Sequence, residues 1–305
     1  MGGLSVRPCR ALQEVFMKEI TTRQFSILRD HMAVYRFMVE IYERDWRNGV
    51  AAPFWEYAVA SDWMDKSYLH RCRMWLDGET IVGFCFYEAP ATDVYFSLRP
   101  GYEDLAPEMV EYGGTHMPQG DGARRLVIFA GQAAVLEAAK AAGYTQCGGY
   151  ESYVCDLGSP LCYPLPEGFR FTEPGGVDVA KAVECCWKGF DHEAEEGPWN
   201  GEFEHGHALM NAPHATPEHH IAVMNEAGDY VCYGGMWWTP ENQLAYLEPL
   251  CTVPEYRHRG LAAAALSELC RRMKPLGATH MTGGGNPFYK KIGYGPGIPW
   301  TYWKK

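Results

Sequence analysis

A chain of 305 residues exceeds the usual single-domain size, so two domains or two fused halves are the expectation, and 47% hydrophobic residues suffice for a sizeable core. A formal net charge of -11 argues against a general nucleic-acid binder, which needs a basic face, and suits a cationic small molecule drawn into an acidic cleft. Eleven scattered cysteines without a CxxC pair exclude a disulfide framework or zinc ribbon and suit a reduced, cytoplasmic protein.

The opening MGGLSVRPCRALQEVF lacks the long apolar core of a signal peptide. No apolar stretch approaches the roughly 20 residues of a membrane span, so no membrane partner is expected. The first clear element is WLDGETIVGFCFYEAP, in which aromatic and β-branched runs flank a turn at Gly78 and read as a hairpin. PGYEDLA (100–106), KAAGY ending at Tyr144 and the aromatic YESYVCDL follow. LGSPLCYPLPEG (157–168), rich in proline and glycine, reads as a linker.

Beyond it, FRFTEP reads as a strand and DVAKAVECCWKGF as a helix, with Asp178 as N-cap and Val179, Val183, Trp187 and Phe190 as its apolar positions. Residues 191–220 hold six of the eleven histidines and many carboxylates, but no metal-ligand spacing, so no metal is expected. Trp187, Trp199 and the aromatics of 236–238 read as core. A second hairpin turns at Gly228, and the strand LAYLEPL follows. Then Leu261, Ala265, Leu269 and Met273 mark one face of a helix stopped by Pro275 and Gly277. THMTGGG is a strand, PFYKKIGY a short helix, and an aromatic strand closes the chain. This order of elements is a mixed α/β layer.

The two halves repeat at one offset. Gly78 and Gly228, Tyr144 and Tyr294, Tyr150 and Trp300, and Tyr153 and Trp303 all stand 150 residues apart. One offset kept over separated segments indicates duplicated domains, here 1–156 and 169–305 joined by 157–168.

At VPEYRHRGLAAAAL a basic, glycine-containing loop runs into a helix. A helix N-terminus carries unpaired N–H groups and partial positive charge, which suits phosphate, and Gly260 and the small Ala262 leave the amides bare. Neither a P-loop nor a GxGxxG fingerprint is present. The segment LEPLCTVPEYRHRGLAAAAL, followed by GGGNPFYKKIGY, resembles the GNAT family of N-acetyltransferases through Arg257-x-x-Gly260-x-Ala262 and through Tyr289 in FYKKIGY. The resemblance covers roughly residues 168–305. It implies two tandem GNAT-like domains, each a mixed, mostly antiparallel twisted sheet flanked by helices. It also implies acetyl-coenzyme A (acetyl-CoA) as co-substrate, held along Cys251, Thr252 and Val253, by Arg257, His258, Arg259, Gly260, Leu261 and Ala262, and at Asn286. The Val253 amide is expected to polarise the thioester carbonyl, and Tyr289 to protonate the leaving thiolate.

An alkyl ammonium with a pKa of roughly 10 needs a base, and Glu248, flanked by Tyr246, Leu247, Leu250 and Cys251, is the candidate. Cys251 has no histidine close in sequence and reads as a small buried residue rather than a nucleophile. The resemblance also implies that the segment between the first helix and the hairpin borders the acceptor site, so Asp191, Glu193, Glu195, Glu196, Glu202 and Glu204 are expected to attract a cationic acceptor. In the first half PGYEDLA replaces the basic loop, with Glu103 and Asp104 in it, and Ala139 stands where the second half has Tyr289. That half is expected to have lost cofactor binding. The expected activity is acetyl transfer from acetyl-CoA to a small-molecule amine. Peptide or protein N-acetylation and a non-catalytic coenzyme A thioester sensor are the alternatives; the oligomeric state stays open.

Overall fold

The repeat in sequence is a repeat of elements. The computed structural model describes residues 19–119 and 124–305, and the N-terminal stretch read for a signal peptide lies outside the described residues. The first half runs β1 (Ile20–Gln24), α1 (Ile27–Ile41), α2 (Ala52–Ala60), β2 (Arg73–Asp77), β3 (Thr80–Tyr87), β4 (Asp93–Leu98), α3 (Ala106–His116), β5 (Arg125–Phe129), α4 (Ala133–Ala141) and β6 (Thr145–Asp156). The second runs β7 (Arg170–Phe171), α5 (Val179–Gly189), α6 (His192–Glu196), α7 (Glu204–Met210), β8 (Ile221–Met224), β9 (Tyr230–Thr239), β10 (Leu244–Thr252), α8 (Leu261–Met273), β11 (His280–Thr282), α9 (Pro287–Lys291) and β12 (Gly295–Lys304). Both expected hairpins form, β2–β3 and β8–β9.

The twelve strands of the described residues join one sheet, ordered β1-β2-β3-β4-β5-β12-β6-β11-β10-β9-β8-β7. The sheet is antiparallel except at β4–β5 and β10–β11. Each half lends its last strand to the other: β12 pairs with β5, and β6 pairs with β11. The two lent strands also pair with each other, antiparallel, with Trp300 opposite Tyr150. Residues 150 apart in sequence therefore face each other where the halves meet.

The exchange carries core with it. Ile298, Trp300 and Trp303 of β12 are buried in the core of the first half. The Trp300 ring lies 4.9 Å from Phe129, 5.7 Å from Trp46 and 5.9 Å from Phe54. Cys155 of β6 and the following Leu157 belong to the second core, under α8, whose Leu261, Ala265, Leu269 and Met273 all point inward as the spacing requires.

A polar tie joins the halves as well. The fully buried Glu56 of α2 accepts from the His214 amide at 2.6 Å and is bonded to His214 Nδ1 at 2.7 Å and His31 Nε2 at 3.1 Å. Burial pushes its carboxyl up, but the hydrogen bonds from His214 and His31 win and hold it at about 2. Tyr35 stacks on the His214 ring at 3.5 Å.

One helix face differs from its sequence reading. Asp178 does cap α5, accepting from the Lys181 amide at 2.9 Å. The face against the sheet, however, is Ala182, Cys185 and Gly189, not Val179, Val183, Trp187 and Phe190. Small residues win that face because the helix lies close: a Cβ on Gly189 would come within 2.7 Å of Cys251 Cβ. Val183, Trp187 and Phe190 line a cavity instead.

Trp300→Ala removes one of the two tryptophans that β12 carries into the first-half core, and is expected to cost about 3–5 kcal/mol. A lowered urea midpoint, with proteolysis opening the first half, is the expected reading. An unchanged midpoint would contradict this packing.

Candidate functional site

The parallel pair β10–β11 is joined only at Leu244–His280 and Ala245–Met281. Beyond it the Leu247 amide donates to Thr282 Oγ1 at 2.8 Å, and the strands then part. On its other edge β10 bulges against β9 between Leu247 and Leu250, so that Glu248 and Pro249 sit at the opening. The Trp237 indole donates to the Glu248 carbonyl at 3.3 Å. A splayed parallel pair leaves strand-edge groups for a ligand to bond, and a bulge redirects the side chain it carries.

The splay leads to the basic loop. Between Thr252 and Leu261 the backbone turns left-handed twice, at His258 (φ 61°) and Gly260 (φ 82°). Gly260 is the N-cap of α8, without a side-chain cap, and a Cβ there would meet nothing within 4 Å. The positive φ, not crowding, calls for glycine, and the space in front of the helix is open. The first-turn amides at Leu261, Ala262 and Ala263 have no acceptor within the helix and face that space with the positive end of the helix dipole. His258 and Arg259 are exposed beside it, with Arg259 over the Tyr256 ring at 5.0 Å.

Two site residues do something other than the sequence suggests. The Arg257 guanidinium donates to the Thr252 carbonyl at 3.1 Å, the Gly189 carbonyl at 2.8 Å and Asp191 at 2.9 Å. It braces the loop against the end of α5 and pairs there with Asp191, one of the carboxylates expected to attract a cation. The Val253 amide donates to the Val231 carbonyl at 3.0 Å, so it belongs to the ladder with β9 and does not reach the splay. Alternation along a strand turns the neighbouring Thr252 amide to the other edge.

Tyr289 is buried on α9, its ring close under Gly283 and Gly284. A Cβ on Gly283 would fall 2.7 Å from that ring, so the glycines after β11 make room for the tyrosine. Burial, and then the charge of Glu248, push its hydroxyl well above the ordinary phenol value. The Asn286 carboxamide accepts from the Phe288 amide at 2.9 Å and caps α9. Cys251 is buried with its sulfur 3.9 Å from those of Cys185 and Cys186, and no histidine is among its hydrogen-bond partners.

A cavity of 650 Å³ opens between the halves, walled by α2, α5, α7 and the sheet. Phe54, Tyr246, Glu88 and Glu248 line it and also line a second cavity of 300 Å³. Burial raises Glu248 to about 7. Burial, and then the Glu248 charge, raise Glu88 to about 8. Of the acidic residues of 191–220 expected near the acceptor, Glu196 lines the larger cavity, with His192 and His205 beside it. Trp187 and Trp237, read as core, line it too. Among the described residues no group of three or more His, Cys, Asp or Glu is placed to hold a metal.

Glu88 escaped the sequence reading altogether. It directly follows the buried strand TIVGFCFY, and its repeat partner is Trp238, so neither motif nor offset marks it. The one available signal was a carboxylate at the end of an apolar run.

In the first half the loop equivalent to the basic one is closed by its own charge: the Gly101 amide donates to Glu103 Oε1 at 2.9 Å. Ala139, opposite Tyr289 in the repeat, is buried in α4.

Residues 185–294 match the model of the acetyltransferase (GNAT) family. No curated protein matches the chain by sequence. Among solved structures, a GCN5-related N-acetyltransferase from Sphaerobacter thermophilus is 16% identical, covering 94% of this chain and 95% of its own at a TM-score of 0.58. A tandem GNAT protein from the clavulanic acid biosynthesis pathway is 14% identical, covering 94% and 98% at 0.57. A GNAT-family acetyltransferase from Colwellia psychrerythraea is 11% identical, covering 94% and 100% at 0.55. These likenesses establish the two-part fold over nearly the whole chain. No helix among the described residues is long and apolar enough to cross a membrane.

The raised carboxyls make a stability prediction. Glu248 ionises at about 4.3 in the unfolded chain and at about 7 in the folded one. The unfolded state therefore releases its proton first, and this group's contribution falls as pH rises through that window. Glu248→Gln should melt progressively higher relative to wild type between pH 5 and pH 7.5. A difference that does not change with pH would contradict the burial of this carboxylate.

Proposed function

On the premise that the second half of the chain is an acetyltransferase domain of the GNAT family, we propose that the protein moves the acetyl group of acetyl-CoA to the amine of a small molecule, directly, in a ternary complex. The observation that carries this reading is one continuous feature. A splayed strand pair runs from a bulge bearing a carboxylate raised to about 7 to the uncapped N-terminus of α8.

That feature fits the co-substrate. Amides from Gly260 to Ala262 suit a pyrophosphate, with His258 and Arg259 adding positive charge at the same end. The β10 edge through Cys251 and Thr252 suits the amide-bearing arm, and Asn286 stands at the entrance to α9 beside it. The bound thioester supplies an acyl carbon open to attack. Glu248 takes a proton from the acceptor ammonium. The freed lone pair forms the C–N bond as the C–S bond breaks, Tyr289 gives its hydroxyl proton to the departing sulfur, and the second proton of the acylated nitrogen is lost to solvent, which returns one to the tyrosine. A carboxylate near neutrality suits a base at physiological pH, and a phenol held above its usual value is protonated there.

The N-terminal domain, residues 1–156, is in this reading a copy that lost the cofactor site and kept the sheet, with 157–168 as linker to the catalytic domain 169–305. The Glu103 carboxylate closing the Gly101 turn supports this, since it lies where a pyrophosphate would need bare amides.

Acetyl-CoA at about 100 times its Kd should stabilise the folded chain by about 2.7 kcal/mol, a rise of several degrees in Tm. Gly260→Glu should abolish that rise; a persisting rise would move the cofactor elsewhere, and none in wild type would end the reading. Tyr289→Phe should bind acetyl-CoA as wild type does while thiol release on an amine panel slows about 100-fold. Equal rates would remove its role as acid.

A further inference from the structure

The half without a cofactor loop contributes more than a buttress. Glu88 and Glu248 come from different halves, yet both line each of the two cavities and so stand where the cavities meet. Among the described residues neither carboxylate forms an ion pair. Glu88 has the Tyr95 hydroxyl at 3.4 Å, and the only basic side chain lining the smaller cavity, Arg125, is held in a two-point pair with Asp93. Two carboxylates brought together by folding, in apolar surroundings and without a cation, form a site lacking its counter-charge. Burial raises both carboxyls, and the Glu248 charge adds to the rise at Glu88.

The rest of the larger cavity states the ligand's other end. Its walls are aromatic from both sides: Tyr57 and Trp63 from the first half, Trp187, Phe190, Tyr233 and Trp237 from the second. Trp63 and Phe190 are exposed, an arrangement unfavourable in water unless something covers them. The apolar stripe of α5, which its sequence periodicity assigns to the core, is turned to this space. A volume of 650 Å³ admits a one- or two-ring molecule with room for its chain. Asp62 and Glu196 in the same lining disfavour an acid.

We propose that Glu88 and Glu248 together form the ammonium-recognition site, and that the acceptor is a primary arylalkylamine whose flat ring lies between the aromatic walls of the larger cavity. The inference rests on the acetyl-transfer reading and names its substrate class. Glu88 holds the cation, Glu248 holds it and then takes its proton, and the rings gain both stacking and cation–π contact.

The test titrates the full chain with 2-phenylethylamine and tryptamine, against 2-phenylethanol, putrescine and glucosamine, and then follows thiol release from acetyl-CoA with the same amines. Both arylalkylamines should bind, and the neutral alcohol at least about tenfold more weakly. Glu88→Gln, with its melting temperature as a check on folding, should raise both Kd and KM by about tenfold or more and move kcat far less. Glu88→Asp should recover part of the loss. Trp187→Leu is the second variant: KM should rise for tryptamine more than for propylamine. Tighter binding of putrescine or glucosamine than of either arylalkylamine overturns the substrate class, as does an equal effect of Trp187→Leu on both amines. Unchanged Kd and KM in Glu88→Gln overturn the carboxylate pair and leave acetyl transfer standing. Arylalkylamine binding that depends on Glu88, without thiol release, leaves this site standing and overturns acetyl transfer.

Discussion

Everything at the centre of this protein depends on the exchange of β6 and β12. Each half supplies the strand that completes the other's sheet, and the exchanged strands pair with Trp300 opposite Tyr150. Neither half has its own full sheet, so neither core closes alone. The aromatic ends of the repeat each close the neighbour's sheet. A two-domain chain held only by a linker would leave domain motion as the default. Here twelve continuous strands and the buried Glu56–His214–His31 network fix one half against the other.

Held in place by that sheet, the first half lends walls to the cleft. It presents α2, the end of β3 and the aromatic residues Phe54, Tyr57 and Trp63 to the cleft beside β10. The division of labour follows from charge. Where the second half turns bare amides and basic side chains outward at the start of α8, the first closes the same turn with Glu103. In the proposed reading one loop accepts an anion and the other excludes it. The Arg257–Asp191 pair adds a constraint within the second half, tying the loop to the C-terminal end of α5 and so to the wall of the larger cavity.

Much of this was legible in the sequence because it is local. The hairpins at Gly78 and Gly228, the α5 cap at Asp178 and the inward face of α8 are written in spacing and turn chemistry, and the basic loop in its motif. Glu248 was legible because it sits among apolar neighbours on the strand leading to that loop. What stayed hidden depends on which strands meet. A 150-residue offset reveals duplication but is the same whether or not the copies exchange strands, and only exchange brings Glu88 to Glu248. The α5 face was misread because periodicity reports an apolar stripe without saying whether core or cavity lies against it. Arg257 and Val253 follow the same rule: a motif gives residue type and position, while their partners, Asp191 and the Val231 carbonyl, come from packing.

In the proposed reading, one half kept a phosphate-binding helix start and the other lost it to its own carboxylate. Calorimetric titration of the full chain with coenzyme A, which carries the pyrophosphate without the acetyl group, tests this most directly. One binding site per chain is the result this account predicts. Two sites of comparable affinity, or none, would contradict it.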